Sequence, residues 1–168
     1  MIWWIDTLSA LYPVDMFTVH DDWGTEKDAF FSPQMMEDLL FEPTKRIIDH
    51  VHGLDKLYQF HCCGRVEKFM PAFCALGPDF MQLQRRVNDT PKYKELYGNR
   101  LGFNTGIEDM EPCKSYTQAE LTGLLRRSLD IFAPGGGFLP AVRAASPETI
   151  WNTAAEIYCY SRELYESA

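Results

Sequence analysis

The chain has 168 residues, of which 46% are hydrophobic, and a formal net charge of −8. This length suits one domain with a substantial core, and the acidic charge argues against a nucleic-acid-binding surface. No apolar run is long enough to span a bilayer, and the apolar residues 1–5 lack a basic leader, so we expect no membrane segment or secretory signal. The five cysteines have no regular spacing, which favours a reduced, cytoplasmic protein over a disulfide framework.

The first half of the chain alternates helix and strand signals. Apolar residues at helical spacing predict a helix over residues 2–12, and the β-branched and aromatic segment Met16–His20 predicts a strand. A second helix begins at Pro33, and Pro43 should kink it or split it in two. A short apolar strand follows over residues 57–60 and ends near a glycine, as expected for a buried strand of a parallel sheet.

The second half continues the alternation. The predicted elements are a helix over 66–76, a strand over 79–84, a helix over 91–97 and a strand over 101–108. Thr117 and Glu120 form a capping box that opens a further helix. The glycines at 135–137 lead into a last short strand, and a terminal helix begins near residue 146. No Lys-Ser/Thr pair follows the glycine run, which excludes a P-loop.

Side chains suited to catalysis or metal binding follow three of these strands. Asp21 and Asp22 follow the first strand, His61 and Cys63 end the second, and Glu108 follows the strand that begins near residue 101. Because side chains alternate along a strand, His61 and Cys63 point the same way and can reach one zinc ion. The same residues are also compatible with a hydrogen-bonded core histidine and a packed cysteine. The two aspartates are equally compatible with a solvated loop or a helix cap.

Strand and helix alternate about five times, which predicts parallel strands joined by crossover helices. An open doubly wound sheet and a barrel both place ligands at the carboxyl ends of strands. Several successive strands contribute to the candidate site, which favours a (β/α)8 TIM-type barrel of the α/β class. Since a complete barrel has eight strands and about 250 residues, we expect a partial barrel. A second copy or an amino-terminal half would then close it.

Several segments resemble the uroporphyrinogen decarboxylase family. They include Asp21-Asp22-Trp23-Gly24, the segment 45–52, His61-Cys62-Cys63-Gly64 and the stretches 97–108 and 133–137. The likeness runs in order over residues 13–150. It implies a (β/α)8 barrel, with residues 1–168 forming a single segment from its carboxyl-terminal part.

This family contains two chemistries. The decarboxylases remove carboxylates from a tetrapyrrole without a metal, whereas cobamide-dependent methyltransferases move a methyl group from a corrinoid protein to a thiol such as coenzyme M. The methyltransferases hold zinc with a His-x-Cys pair and a distant cysteine. His61 and Cys63 match that pair, but the stretch 138–145 contains no counterpart of the distant cysteine. Glu108 could complete the site as a carboxylate ligand.

The resemblance therefore implies a zinc-assisted methyltransferase. His61 and Cys63 would bind the metal, and Asp21 or Asp22, together with Glu108, would position the substrate. The alternatives are a metal-free decarboxylase (a lyase) and a non-catalytic partial barrel. The expected partners are a corrinoid protein and a small thiol or tetrapyrrole, without nucleic acid or membrane.

Overall fold

The computed structural model describes residues 1–107, 111, 114–142 and 146–166. Its strands are β1 Met16–His20, β2 Leu57–Cys62, β3 Phe80–Leu83, β4 Gly102–Gly106 and β5 Phe138–Ala141. Its α-helices are α1 Ile2–Leu11, α2 Pro33–Met36, α3 Glu42–His52, α4 Met70–Leu76, α5 Thr90–Tyr97, α6 Gln118–Phe132 and α7 Pro147–Glu166. The predicted alternation is confirmed. Among the described residues, no helix combines the length and apolar character needed to cross a membrane.

Two compact units make up the chain, Met1–Gly102 and Phe103–Ala168. In the first unit, β1, β2 and β3 pair in parallel in chain order. In the second, β4 and β5 also pair in parallel. Parallel strands separated by helices place the protein in the α/β class, consistent with a partial (β/α)8 barrel.

The two faces of the first unit's sheet differ along β2. Tyr58, Phe60 and Cys62 alternate along β2 and are almost fully buried on the side that carries the helices. The intervening Gln59 and His61 face the other way. Gln59 Nε2 donates a hydrogen bond of 3.2 Å to Thr18 Oγ1 on the neighbouring strand. His61 therefore lies on the face opposite the helices, near the carboxyl end of β2, where the candidate site is.

The helix that follows Pro33 changes geometry before Pro43. Between α2 and α3, residues Glu37–Phe41 form a π-helical turn. Proline has no N–H to donate and its ring clashes with the carbonyl four residues earlier. The wider turn accommodates that clash. The chain stays helical through Pro43, and the predicted interruption takes the form of a change in helical geometry.

The second unit packs α6 against α7. Thr117 and Glu120 form the predicted capping box, in which each side chain bonds the other residue's backbone N–H. The hydrogen bonds at this cap lower the pKa of the Glu120 carboxyl, which therefore stays ionised at the positive end of the helix. Arg126 Nε lies 2.7 Å from Glu156 Oε1 on α7. The buried residues of this unit's core cluster are Ile107, Leu121, Leu124 and Leu125.

Candidate metal centre

Asp22, His61 and Cys63 bring three potential metal-binding atoms together at the carboxyl edge of the first unit's sheet. These atoms all lie within 4.8 Å of one another. His61 Nε2 is 3.3 Å from Cys63 Sγ and 3.7 Å from Asp22 Oδ1. The His61 side chain is about one-fifth exposed and Asp22 about half exposed, at 20% and 53%, so the cluster is open to solvent on one side.

Trp23 anchors the loop that presents Asp22. Its indole is 1% exposed, and its ring centroid lies 5.0 Å from that of Phe60 and 5.2 Å from that of Phe73. Its backbone N–H donates to Cys62 Sγ at 3.3 Å. With Trp23 held in the aromatic core, the preceding Asp22 is left at the surface edge, where its Oδ1 accepts the Cys63 N–H at 2.8 Å.

Two glycines let the Asp22 and Cys63 loops approach closely. Gly64 has a φ of +88°, and a Cβ added there would lie only 2.1 Å from the carbonyl carbon of Gly24. Next to this contact, the Arg65 N–H donates to the Thr25 carbonyl at 2.8 Å. A side chain at Gly64 would push the two loops apart. Gly64 is therefore a geometric requirement of this close approach, whereas a Cβ at Gly24 would lie 3.2 Å from its nearest neighbours.

The turn after Cys63 is also held from the side of β3. Gln84 Oε1 accepts the Gly64 N–H at 2.9 Å. The buried Asn88 side chain donates to the Gly64 and Gln84 carbonyls and accepts the Val66 N–H at 3.1 Å. A buried amide with both ends satisfied is a rigid connection, so the turn is fixed independently of Asp22.

The ring of His61 is held on two sides. His20, His61 and Gln82 are direct neighbours across β1, β2 and β3. His61 Nδ1 lies 2.8 Å from Gln82 Oε1, and the His20 ring stacks on the His61 ring at 4.1 Å between centroids. His20 and Gln82 were not among the predicted site residues. The sequence held one indication of their role, because His20, His61 and Gln82 all lie at or near the carboxyl ends of predicted strands.

The structure distinguishes the two adjacent aspartates. Asp22 belongs to the cluster with His61 and Cys63, whereas Asp21 does not. Asp22 Oδ1 lies 3.7 Å from His61 Nε2 and accepts the Cys63 N–H at 2.8 Å. Of the two aspartates, it is therefore Asp22 that contributes a donor atom to the cluster.

The remaining predicted candidate, Glu108, lies outside the described residues, as does Cys113. The role of Glu108 as a ligand or substrate-positioning group stays a prediction. Cys74 is on α4 and Cys159 is on α7. Neither belongs to the three-residue cluster. In the described part of the chain, the third donor beside His61 and Cys63 is therefore the carboxylate of Asp22.

The spacing and chemistry of the three donors fit zinc. Zinc binds nitrogen, oxygen and sulfur at about 2.0–2.3 Å in tetrahedral geometry, which places neighbouring ligand atoms about 3.3–3.6 Å apart. The separations from His61 Nε2 to the Cys63 and Asp22 donors, 3.3 and 3.7 Å, are close to this range. The third separation, between Cys63 Sγ and the Asp22 carboxylate, is within 4.8 Å. Imidazole, thiolate and carboxylate are all zinc ligands, so the three side chains suit a zinc ion in both chemistry and position.

Without a metal, the environment of Cys63 favours the neutral thiol. Burial raises the pKa of Cys63, and the charge of Asp22 and its hydrogen bond raise it further. Burial raises the pKa of Cys62 to about 12. Neither cysteine is therefore an activated nucleophile, since such thiols need a lowered pKa.

This environment predicts a specific pH dependence of thiol alkylation. In metal-free protein, the iodoacetamide reaction of Cys63 should have its midpoint above the ordinary thiol range, because only the thiolate reacts. Asp22→Asn should move the curve to lower pH, though not fully to the ordinary range, because burial remains. Mass spectrometry with fragmentation between residues 62 and 63 measures each site. An unchanged curve in Asp22→Asn would show that its carboxylate does not act on Cys63.

Comparison with known proteins shows the fold. No protein-family model matches the sequence, and no curated protein matches it. Among solved structures, a methyltransferase from Methanosarcina mazei aligns with a TM-score of 0.66 at 14% sequence identity. The alignment covers 98% of this chain and 46% of that chain. The chain thus spans less than half the length of this structural neighbour. The likeness supports the fold of the present chain but does not single out the uroporphyrinogen decarboxylase family.

Proposed function

We propose that Asp22, His61 and Cys63 bind one zinc ion and that the protein uses this centre to transfer a methyl group to a thiol. The observation that carries the proposal is the convergence of an imidazole, a thiol and a carboxylate within 4.8 Å. Catalytic zinc sites have three protein ligands and keep one position open for water or substrate. The cluster offers three ligands and has one solvent-exposed side.

A metal centre explains the cluster better than a cysteine nucleophile does. His61 and Cys63 are close enough for a nucleophile and base pair, but the carboxylate beside them raises the pKa of the thiol. That effect opposes nucleophilic catalysis by Cys63. The same carboxylate stabilises a bound divalent cation, because Asp22 and an ionised Cys63 offset its charge.

A zinc ion held by these three residues would lower the pKa of a bound substrate thiol, which would then be present as a reactive thiolate at neutral pH. His61 supplies a neutral nitrogen donor through Nε2. Asp22 supplies a carboxylate and also holds the Cys63 backbone N–H at 2.8 Å. Trp23 and Gly64 are buried and hold the two loops that carry Asp22 and Cys63.

The methyl donor in this proposal is a methylated corrinoid carried by a partner protein. The sulfur of the substrate thiolate forms a bond to the methyl carbon while the cobalt–carbon bond breaks, and that bond's electron pair stays on cobalt. Support comes from the resemblance of the His61 and Cys63 motif to cobamide-dependent methyltransferases. The structural likeness to a methyltransferase is compatible with it.

The test is methyl transfer from methylcobalamin to a small thiol such as 2-mercaptoethanesulfonate under anaerobic conditions. Zinc-loaded protein should accelerate the reaction, followed by the absorbance change of the cobalamin and by the loss of free thiol. Cys63→Ser should reduce the rate to that of a protein-free zinc control. If wild-type protein binds zinc but does not accelerate methyl transfer, with or without a corrinoid protein, the methyltransferase proposal is wrong.

A further inference from the structure

We infer that Gln82 is a positioning residue that keeps His61 in the tautomer needed for metal binding. The metal-binding part of this inference rests on the proposed zinc centre, whereas the tautomer itself is a property of the metal-free protein. Gln82 lies outside the sequence motif around His61, 21 residues further along the chain. The parallel pairing of β2 and β3 brings the two together.

The register explains why this contact forms. His61 is paired with Gln82 across the two strands, and directly paired residues of a parallel sheet project from the same face. His61 Nδ1 and Gln82 Oε1 are 2.8 Å apart, and the contact is partly buried. On the other side, His20 stacks on the imidazole with 21° between the ring planes. Rotation of the His61 ring is therefore restricted from both neighbouring strands.

The hydrogen-bonding chemistry then decides which ring nitrogen carries the proton. Gln82 is oriented with its carbonyl oxygen toward His61 Nδ1. A carbonyl oxygen only accepts a hydrogen bond, so in this arrangement Nδ1 carries the proton and donates. In a neutral imidazole, Nε2 then has a lone pair and no proton. This lone pair is on the nitrogen that lies 3.3 Å from Cys63 Sγ. Gln82 thus leaves Nε2 available as the metal-binding atom.

A neutral partner also suits the charge of the cluster. Metal-binding histidines usually donate their second N–H to a carboxylate, a carbonyl or water, which fixes the ring and its tautomer. Here Asp22 and Cys63 already provide two potentially anionic donors. Gln82 orients His61 without adding a third negative charge, whereas a glutamate at this position would preserve the hydrogen bond and add one.

The test compares Gln82→Leu and Gln82→Glu with the wild type. In metal-free protein at alkaline pH, nitrogen-15 NMR should show His61 protonated at Nδ1, with its signals assigned by their loss in His61→Ala. Gln82→Leu should move His61 toward the Nε2-protonated form, and Gln82→Glu should restore the wild-type tautomer. Zinc affinity should fall about 10- to 100-fold in Gln82→Leu and recover largely in Gln82→Glu. Thermal unfolding of the metal-free variants serves as the control for structural damage.

The outcomes separate this inference from the proposed function. If the wild type binds zinc and Gln82→Leu changes neither the tautomer nor the affinity, Gln82 has no positioning role. If the wild type binds no zinc, the proposed centre fails, and the NMR measurement alone decides the inference. A weakened affinity in Gln82→Leu with an unchanged tautomer would also overturn it.

Discussion

Wild-type protein reconstituted with zinc is expected to hold about one zinc ion per chain, and His61→Ala and Cys63→Ser are expected to hold none. Zinc sites in proteins use three or four protein ligands. Each substitution removes one of the three donors that lie within 4.8 Å, and the remaining two form an incomplete site. Elemental analysis after exchange into metal-free, reducing buffer measures the stoichiometry.

The adjacent aspartates provide a matched pair of variants. Asp22→Asn keeps an oxygen that can accept the Cys63 N–H but removes the charge. It should weaken zinc binding by more than the roughly 10- to 100-fold loss typical of outer contacts. Asp21→Asn removes the same charge one residue earlier, outside the cluster, and should leave affinity unchanged. Cys159→Ser controls for the loss of a thiol, because Cys159 is exposed on α7.

Three results would contradict the metal centre. Wild-type protein that binds no zinc after reconstitution would exclude it altogether. Retention of stoichiometric zinc by Cys63→Ser would place the metal at other residues. Equal losses of affinity in Asp21→Asn and Asp22→Asn would show that the local charge, and not coordination by Asp22, governs binding.

Gly64→Ala is expected to destabilise the protein by about 2–5 kcal/mol or to prevent folding. Two costs combine at this position. A residue with a side chain at a φ of +88° pays about 1–2 kcal/mol for the left-handed conformation. In addition, the new Cβ would lie 2.1 Å from backbone atoms of Gly24, which cannot move as a flexible side chain does. Urea unfolding of the metal-free protein measures the change.

Gly77→Ala is the matched control for the second cost. Gly77 also has a positive φ, +74°, but an added Cβ would meet nothing within 4 Å. This variant should lose only about 1–2 kcal/mol. If Gly64→Ala proved no less stable than Gly77→Ala, the close approach of the Gly24 and Gly64 backbones would be wrong. The proximity of Asp22 to Cys63 would then lose its structural basis.

Local sequence patterns determined the alternation of strands and helices. The capping box at Thr117 and Glu120 and the interruption before Pro43 were both predictable, because they depend on residues a few positions apart. The common direction of His61 and Cys63 was also predictable, since the two-residue period of a strand decides it. These features require no knowledge of which strands are neighbours.

Only the tertiary structure identified the other members of the site. The sequence places Asp21 and Asp22 side by side after β1. Which of them joins the cluster depends on Trp23, because its packing against Phe60 and Phe73 orients the loop. The contact between His61 and Gln82 depends on the register of β2 and β3. Register and loop path are set by packing between residues distant in sequence. For this reason the sequence by itself determined two donors of the candidate centre, and the fold decided the third donor and the residue that orients the histidine.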